Sequence, residues 1–300
     1  MKISEMSMDQ AGKLSDIYNQ QVADIPHCYP LSPGEFKTGI ISRNESAELK
    51  SEVIFTSDEN GQITGFSHAA IVEFQKNGTE NQEGLIRFLT YKSGCRNAGQ
   101  ALLEKSEEYL KGMGMDTIKA FRISYAHDTH YQFYHLGFGL VSDRAGHIPP
   151  LFLINGYEIT GGEVFMERPH YQITEPEIPN KAVEILIEEN PGNGTLPGLN
   201  VRAVKGEYEV GICKSFSVGE HSQSDEAQNW FFIKWLGVAE QEWRKGWGKY
   251  LLQKTLWEMK RIGYKNSIIS ANMINYRARL FYTNYGYKVA DTAYEFTKSL

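Results

Sequence analysis

The chain has 300 residues, a formal net charge of −6, and 41% hydrophobic and 23% charged residues. That length suggests about two domains, and the composition is that of a globular protein able to bury full cores. The acidic balance offers no basic stripe for a nucleic acid and favours a neutral or cationic partner over a polyanion.

No apolar run approaches the roughly 20 residues of a membrane span, so no membrane partner is expected. The first residues are charged where a signal peptide needs an apolar stretch. Three widely spaced cysteines, Cys28, Cys95 and Cys213, read as reduced thiols. A cytoplasmic location is the expectation.

In chain order, residues 9–23 place Ala11, Leu14, Ile17, Tyr18 and Val22 on one helical face. Residues 25–33, rich in Pro and Tyr, break that helix and read as a packed turn or a lid, and residues 33–36 open a second helix. Strands are expected near 52–56, 63–72 and 84–91, a helix over 99–113, and a strand over 117–123. A short helix follows near 130–135; His127 and His130 there read as a helix entry, not a zinc site. Residues 151–166 look β-rich. The proline-bearing stretch 169–179 reads as a linker between domains 1–168 and 180–300. Residues 181–189 read as one short helix.

The chemistry concentrates in residues 230–287. A strand, 230–238, leads to the basic turn Trp243-Arg244-Lys245-Gly246-Trp247-Gly248-Lys249 and a helix over 250–261. A strand near 267–270, the run Asn275-Tyr-Arg-Ala278-Arg-Leu-Phe281-Tyr282 with Gly286-Tyr287, and a closing strand near 293–297 follow. A glycine turn opening a helix can hold a pyrophosphate: the backbone approaches closely and the first helical N–H groups are unpaired. The turn lacks the third glycine of a dinucleotide fingerprint.

The two glycines, followed by Asn275, Ala278, Tyr282 and Gly286 in that spacing, resemble the GNAT superfamily of acetyl-CoA-dependent N-acetyltransferases. Trp243 stands where that family usually has Arg or Gln. The resemblance implies an α/β (α+β) fold with a mixed, mostly antiparallel twisted sheet flanked by helices. It implies acetyl-CoA as co-substrate and a primary amine of a small molecule or peptide as acceptor, with no metal. It places the pyrophosphate on Arg244, Lys245, Gly246, Trp247, Gly248 and Lys249, the pantetheine arm on Asn275 and on backbone near Leu236 and Val238, and the acid for the departing thiolate on Tyr282. A free tyrosine's pKa of about 10 suits that transfer. No base is identified. The strand 230–238 holds only Lys234 as an ionisable group, and Glu220, His221, Asp225 and Glu226 lie in the loop before it, so water is the expected carrier of the amine's proton.

The unit is repeated. Leu102, Leu103, Lys105, Lys111 and Gly114 recur 149 residues later as Leu251, Leu252, Lys254, Lys260 and Gly263, and Gly137 recurs as Gly286. Upstream, Gly65 and Gly211 fit a shift of 146. Two tandem domains of the same family follow, an arrangement similar to that of mycothiol synthases. The 149 shift turns Gly246 into Asn97, Asn275 into Ala126 and Tyr282 into Phe133, so the first copy is expected to be degenerate and the second catalytic. A second register, Arg96-Asn-Ala-Gly99-Gln-Ala101, leaves acetyl-CoA binding by the first copy open, and Tyr134 sits beside Phe133. The alternative is a non-catalytic acetyl-CoA-binding or scaffold protein built from both copies.

Overall fold

The computed structural model describes residues 1–41, 49–76, 79–121 and 134–300. The first repeat contributes β1 (Lys2–Glu5), α1 (Ala11–Val22), α2 (Pro33–Phe36), β2 (Leu49–Glu59), β3 (Gln62–Lys76), β4 (Thr79–Tyr91), α3 (Arg96–Gly112) and β5 (Thr117–Ala120). It continues with β6 (Val141–Ser142), α4 (Ile148–Ile154) and β7 (Glu158–Arg168). The second contributes β8 (Glu184–Asn190), β9 (Gly198–Lys205), β10 (Tyr208–Ser217), α5 (Asp225–Gln228) and β11 (Trp230–Val238). It ends with α6 (Trp247–Ile262), β12 (Asn266–Asn272), α7 (Tyr276–Asn284) and β13 (Lys288–Ser299).

The chain packs as two compact units: Met1–Glu163 with Asp291–Leu300, and Val164–Ala290. In the first, the strand order is β1-β2-β3-β4-β5-β13-β7, with β6 also on β13. β4 and β5 run parallel and the pairs β1–β2, β2–β3, β3–β4 and β5–β13 antiparallel. Helices cover both faces. α1 buries Leu14, Ile17, Tyr18 and Val22 on one face, where Tyr18 and α2's Phe36 meet Phe66 and Phe88. α3 lies on the other, where Ser67 meets Ser106 at 2.8 Å. α2 starts as its Ser32/Glu35 capping box and Pro33 dictate.

In the second unit the order is β7-β12-β11-β10-β9-β8, with β11 and β12 parallel and β8–β9–β10–β11 antiparallel. One face carries α6, whose Leu251, Leu252, Leu256 and Met259 bury against Val201, Ala203, Cys213, Phe231 and Ile233. Between β8 and β9 there is only a short loop, where the first unit has α1 and α2 between β1 and β2.

Two sequence expectations change. Residues 181–189 are not a helix: β8 pairs with β9 from Glu184↔Val204 to Asn190↔Gly198. The ladder supplies partners that intrinsic helix propensity cannot outweigh, and the glutamates suit an edge strand. Residues 151–154 are not β but the end of α4, which Pro149 and Pro150 open. Most of the expected helix near 130–135, with His127 and His130, lies outside the described residues; at its end Tyr134 is extended and His135 opens a short 3-10 turn. All three cysteines are free. Among the described residues no helix is long and apolar enough to cross a membrane.

Candidate active site

β11 changes character midway. Across β10, Ser215 faces Ile233 but Lys214 faces Trp235, so Lys234 is an extra residue, a β-bulge. The bulge switches the pleat: Phe231 and Ile233 face the α6 core before it, Leu236 and Val238 after it. The ladder with β12 covers Trp230–Ile233 against Asn266–Ile269 only, and the rest of β11 runs on without a β12 partner. The strand edge from the bulge to Val238 thus lies outside the β12 ladder.

The turn that follows is tightly specified. The amide of Ala239 donates to Val210 O at 2.9 Å, and the indole Nε1–H of Trp243 donates to Val238 O at 2.8 Å. Trp243 therefore ties the turn to the strand end, which is a role the sequence did not reveal. Arg244 at φ 60° and Gly246 at φ 89° turn the chain into α6. A left-handed arginine is strained, and such strain collects at functional sites. α6 then opens with unpaired N–H groups beside the exposed Arg244, Lys245 and Lys249. Trp247's side chain is core, edge-on to Tyr250 at 5.8 Å, so only its backbone belongs to the turn. A Cβ on Gly248 would find nothing nearer than 3.9 Å, and those first atoms are Phe281 Cζ and Val238 Cγ2. The start of α6, the end of β11 and α7 thus meet around a space that would just admit a methyl group.

α7 brings the second motif to that space. Asn275 is its N-cap, its Oδ1 accepting from Ala278 N at 3.1 Å. The cap uses the carbonyl oxygen and leaves the amide nitrogen for another partner. Tyr282 is 7% exposed, with Phe281 and Tyr287 around its ring at 5.3 and 6.0 Å. Burial, with the nearby Cys213 adding to it, pushes the Tyr282 hydroxyl well above its usual value. Cys213 pairs with Leu236 across the β10–β11 ladder and is itself pushed up to about 12 by burial. Tyr282 and Cys213 belong to the same buried cluster, against which Leu236 and Val238 pack. The Tyr282 pKa is no longer that of a free phenol, because the buried site favours the neutral hydroxyl.

Glu220, His221, Asp225 and Glu226 lie elsewhere. Ser217 pairs with Phe231, so that loop is at the start of β11, roughly 16 Å from Leu236 along the strand. Burial raises the Glu220 carboxyl, opposed by the charge of Lys234.

The first unit has the same skeleton with the space filled. Arg87 is its bulge residue, between His68↔Phe88 and Ala69↔Ile86. The buried positions of α3 and α6 coincide at a shift of 149, which aligns Gly99 with Gly248 and not with Gly246. A Cβ on Gly99 would overlap the Tyr91 ring. Tyr91 also donates through its hydroxyl to His147 O, while its own carbonyl is 2.8 Å from His147 Nε2. Phe88 is buried among Tyr18, Phe66, Phe121 and Tyr134. Ala126 and Phe133 lie outside the described residues. No group of three or more His, Cys, Asp or Glu side chains that could hold a metal occurs among the described residues.

The second unit thus brings together a bulged, split strand, a left-handed glycine turn into a helix and a capped second helix carrying a buried tyrosine. Residues 175–287 match the model of the acetyltransferase (GNAT) family. Over the whole chain the fold is that of tandem GNAT proteins. A tandem GNAT protein from the clavulanic acid biosynthesis pathway aligns with a TM-score of 0.69 at 9% identity, over 99% of this chain and 98% of that one. A glucosamine N-acetyltransferase region of a fungal multi-domain β-N-acetylglucosaminidase aligns at 0.67 and 14% identity, over 99% of this chain and 38% of that one. A GCN5-related N-acetyltransferase from Sphaerobacter thermophilus aligns at 0.57 and 13% identity, over 99% and 95%. No curated protein matches the sequence.

Proposed function

We propose that this protein transfers an acetyl group from acetyl-CoA to a primary amine of a small molecule or peptide, with its active site in the second unit. The observation that carries the choice of unit is the contrast at two aligned glycines. A Cβ at Gly248 would fit in ordinary contact with Phe281 and Val238 at 3.9 Å, whereas one at Gly99 would overlap the Tyr91 ring.

Acetyl-CoA supplies an activated thioester. The turn residues Arg244, Lys245, Gly246, Trp247, Gly248 and Lys249 receive its pyrophosphate through backbone N–H groups and three cationic side chains. The edge of β11 outside the β12 ladder, at Leu236 and Val238, aligns the pantetheine arm and polarises the carbonyl, with the Asn275 amide nitrogen as a further donor. The amine attacks the carbonyl carbon, the C–S bond breaks, and Tyr282 donates to the sulfur as its negative charge develops. Water carries away the amine's proton. The first unit is structural or regulatory in this scheme. As sequence repeats, 1–168 and 180–300 with a 169–179 linker remain our division; as packed bodies, the last ten residues fall with the first.

Gly248→Asp fits a Cβ without overlap, places a carboxylate at the start of α6 and opposes the pyrophosphate. Calorimetric titration with acetyl-CoA is expected to show affinity falling by about tenfold or more. Unchanged affinity in a folded variant refutes the site, and would favour a scaffold of two inert copies.

A further inference from the structure

The face of the second unit's sheet opposite α6 carries a recess of about 450 Å³, within the usual range for small-molecule sites. One cross-sheet row forms its floor: Trp235 on β11, Lys214 on β10, Asn200 on β9 and Glu188 on β8, each facing the next in register. Arg202 stands over the row, held by Glu209 at 2.8 Å and Glu188 at 3.2 Å. Trp235 is 60% exposed. A Cβ on Gly237 would lie 2.7 Å from its Nε1, so the indole edge rests along the strand over that glycine.

We infer that this recess recognises the acceptor, and that the acceptor is an amino sugar. The inference rests on the acetyltransferase reading above. Trp235 is three residues from Val238, roughly 10 Å along the strand, on the sheet face away from the cofactor helix. β11 has no β12 partner over this stretch, so an amine held here can reach the thioester beside the split strand. The lining decides the class. Two carboxylates are balanced by Arg202 and Lys214, so there is no net field to select a polycation or a polyanion. What remains is an exposed aromatic surface for an apolar C–H face, ringed by planar groups that donate and accept hydrogen bonds. A hexosamine ring has both features, whereas a linear polyamine has neither hydroxyls nor a flat face. In the first unit the aligned positions are packed instead. Phe88 takes the place of Trp235 and is buried beneath α1, and His68 takes the place of Lys214 and is buried too.

The test reads binding without turnover. Saturation-transfer NMR on the full-length protein compares glucosamine, spermidine and lysine, and is repeated on Trp235→Ala and Glu188→Gln. Both substitutions are at surface positions. Glucosamine is expected to bind about tenfold tighter than either linear amine, and each substitution to weaken it by about tenfold. Glucosamine binding that is absent, weaker than that of a linear amine, or unchanged in both variants overturns the assignment. Acetyl-CoA titration of the same samples separates the two readings. Sugar binding without acetyl-CoA binding removes acetyl transfer and leaves the recess standing, and the opposite result does the reverse.

Discussion

Tyr282 shows how burial changes a residue's chemistry: the matched pKa that suggested proton transfer is gone, and the neutral hydroxyl is left as a hydrogen-bond donor to the departing sulfur. Its hydroxyl is held neutral well above the usual tyrosine value, so it remains a donor throughout the working pH range. Removing it as Tyr282→Phe is expected to cut turnover by about 10²-fold or more while acetyl-CoA affinity stays nearly constant. The wild-type rate is also expected to show no alkaline fall attributable to this group below about pH 10. Equal turnover in the two proteins returns Tyr282 to a packing role. The residue and its spacing from Asn275 were legible in the sequence. The raised pKa was not, because it comes from Phe281, Tyr287 and Cys213 closing around the ring, and Cys213 is 69 residues away. Trp243 looked like a missing cation. Its indole bond to Val238 O shows instead a residue that fixes the turn.

At the scale of elements, the two bulged strands have opposite surroundings. In the first unit, β2, β3 and β4 bring Glu52, His68 and Arg87 together beside the bulge, with Glu52 Oε2 2.9 Å from His68 Nε2 and 2.6 Å from an Arg87 nitrogen. Burial, then the charge of Arg87, lowers His68 to about 4, against the pull of Glu52. An imidazole that resists protonation only when folded destabilises the fold as pH drops. The unfolded chain takes up the proton below about 6.5 and the native state does not until about 4. Between pH 7 and pH 5 the loss should be about 2 kcal/mol. Urea unfolding of the wild type and His68→Gln at both pH values checks this. The wild type should lose more stability on acidification, and parallel losses refute the assignment. The sequence marked these strands by their alternation, but neither the bulges nor this trio, since both depend on cross-strand register. For the same reason β8 passed for a helix: its short apolar pattern fits either period until β9 lies beside it.

For the whole molecule, the last ten residues are decisive. Asp291–Leu300 belong to the first unit, where β13 pairs with β5 from Phe296↔Ala120 to Ser299↔Thr117. Asp291 is buried, 3.0 Å from His135 Nε2, and accepts from Ser142 Oγ at 2.6 Å. Burial alone would raise its carboxyl; the hydrogen bonds and charge of His135 and the Ser142 bond outweigh it and hold the group below its usual value. The stabilisation is present above about pH 4 and is lost as pH falls through the lowered value. Asp291→Ala strands His135 and Ser142 and is expected to cost about 3 kcal/mol at pH 7, read as a lower unfolding midpoint in urea. A midpoint that does not move shows that the strand is held by its ladder and by Phe296 alone.

The sequence by itself determined the two-copy plan, the glycine turn into α6 and the motif from Asn275 to Gly286, because these are local patterns of spacing and backbone freedom. Only the tertiary structure decided which copy would admit a Cβ at its aligned glycine, how the sheet divides its final strand, and that an exposed tryptophan faces a polar recess. Those outcomes depend on register and on what packs against each face. Tyr91 fills the slot beside Gly99, whereas Phe281 and Val238 border the one beside Gly248 at ordinary contact distance, and no local pattern encodes contacts between residues so far apart in the chain.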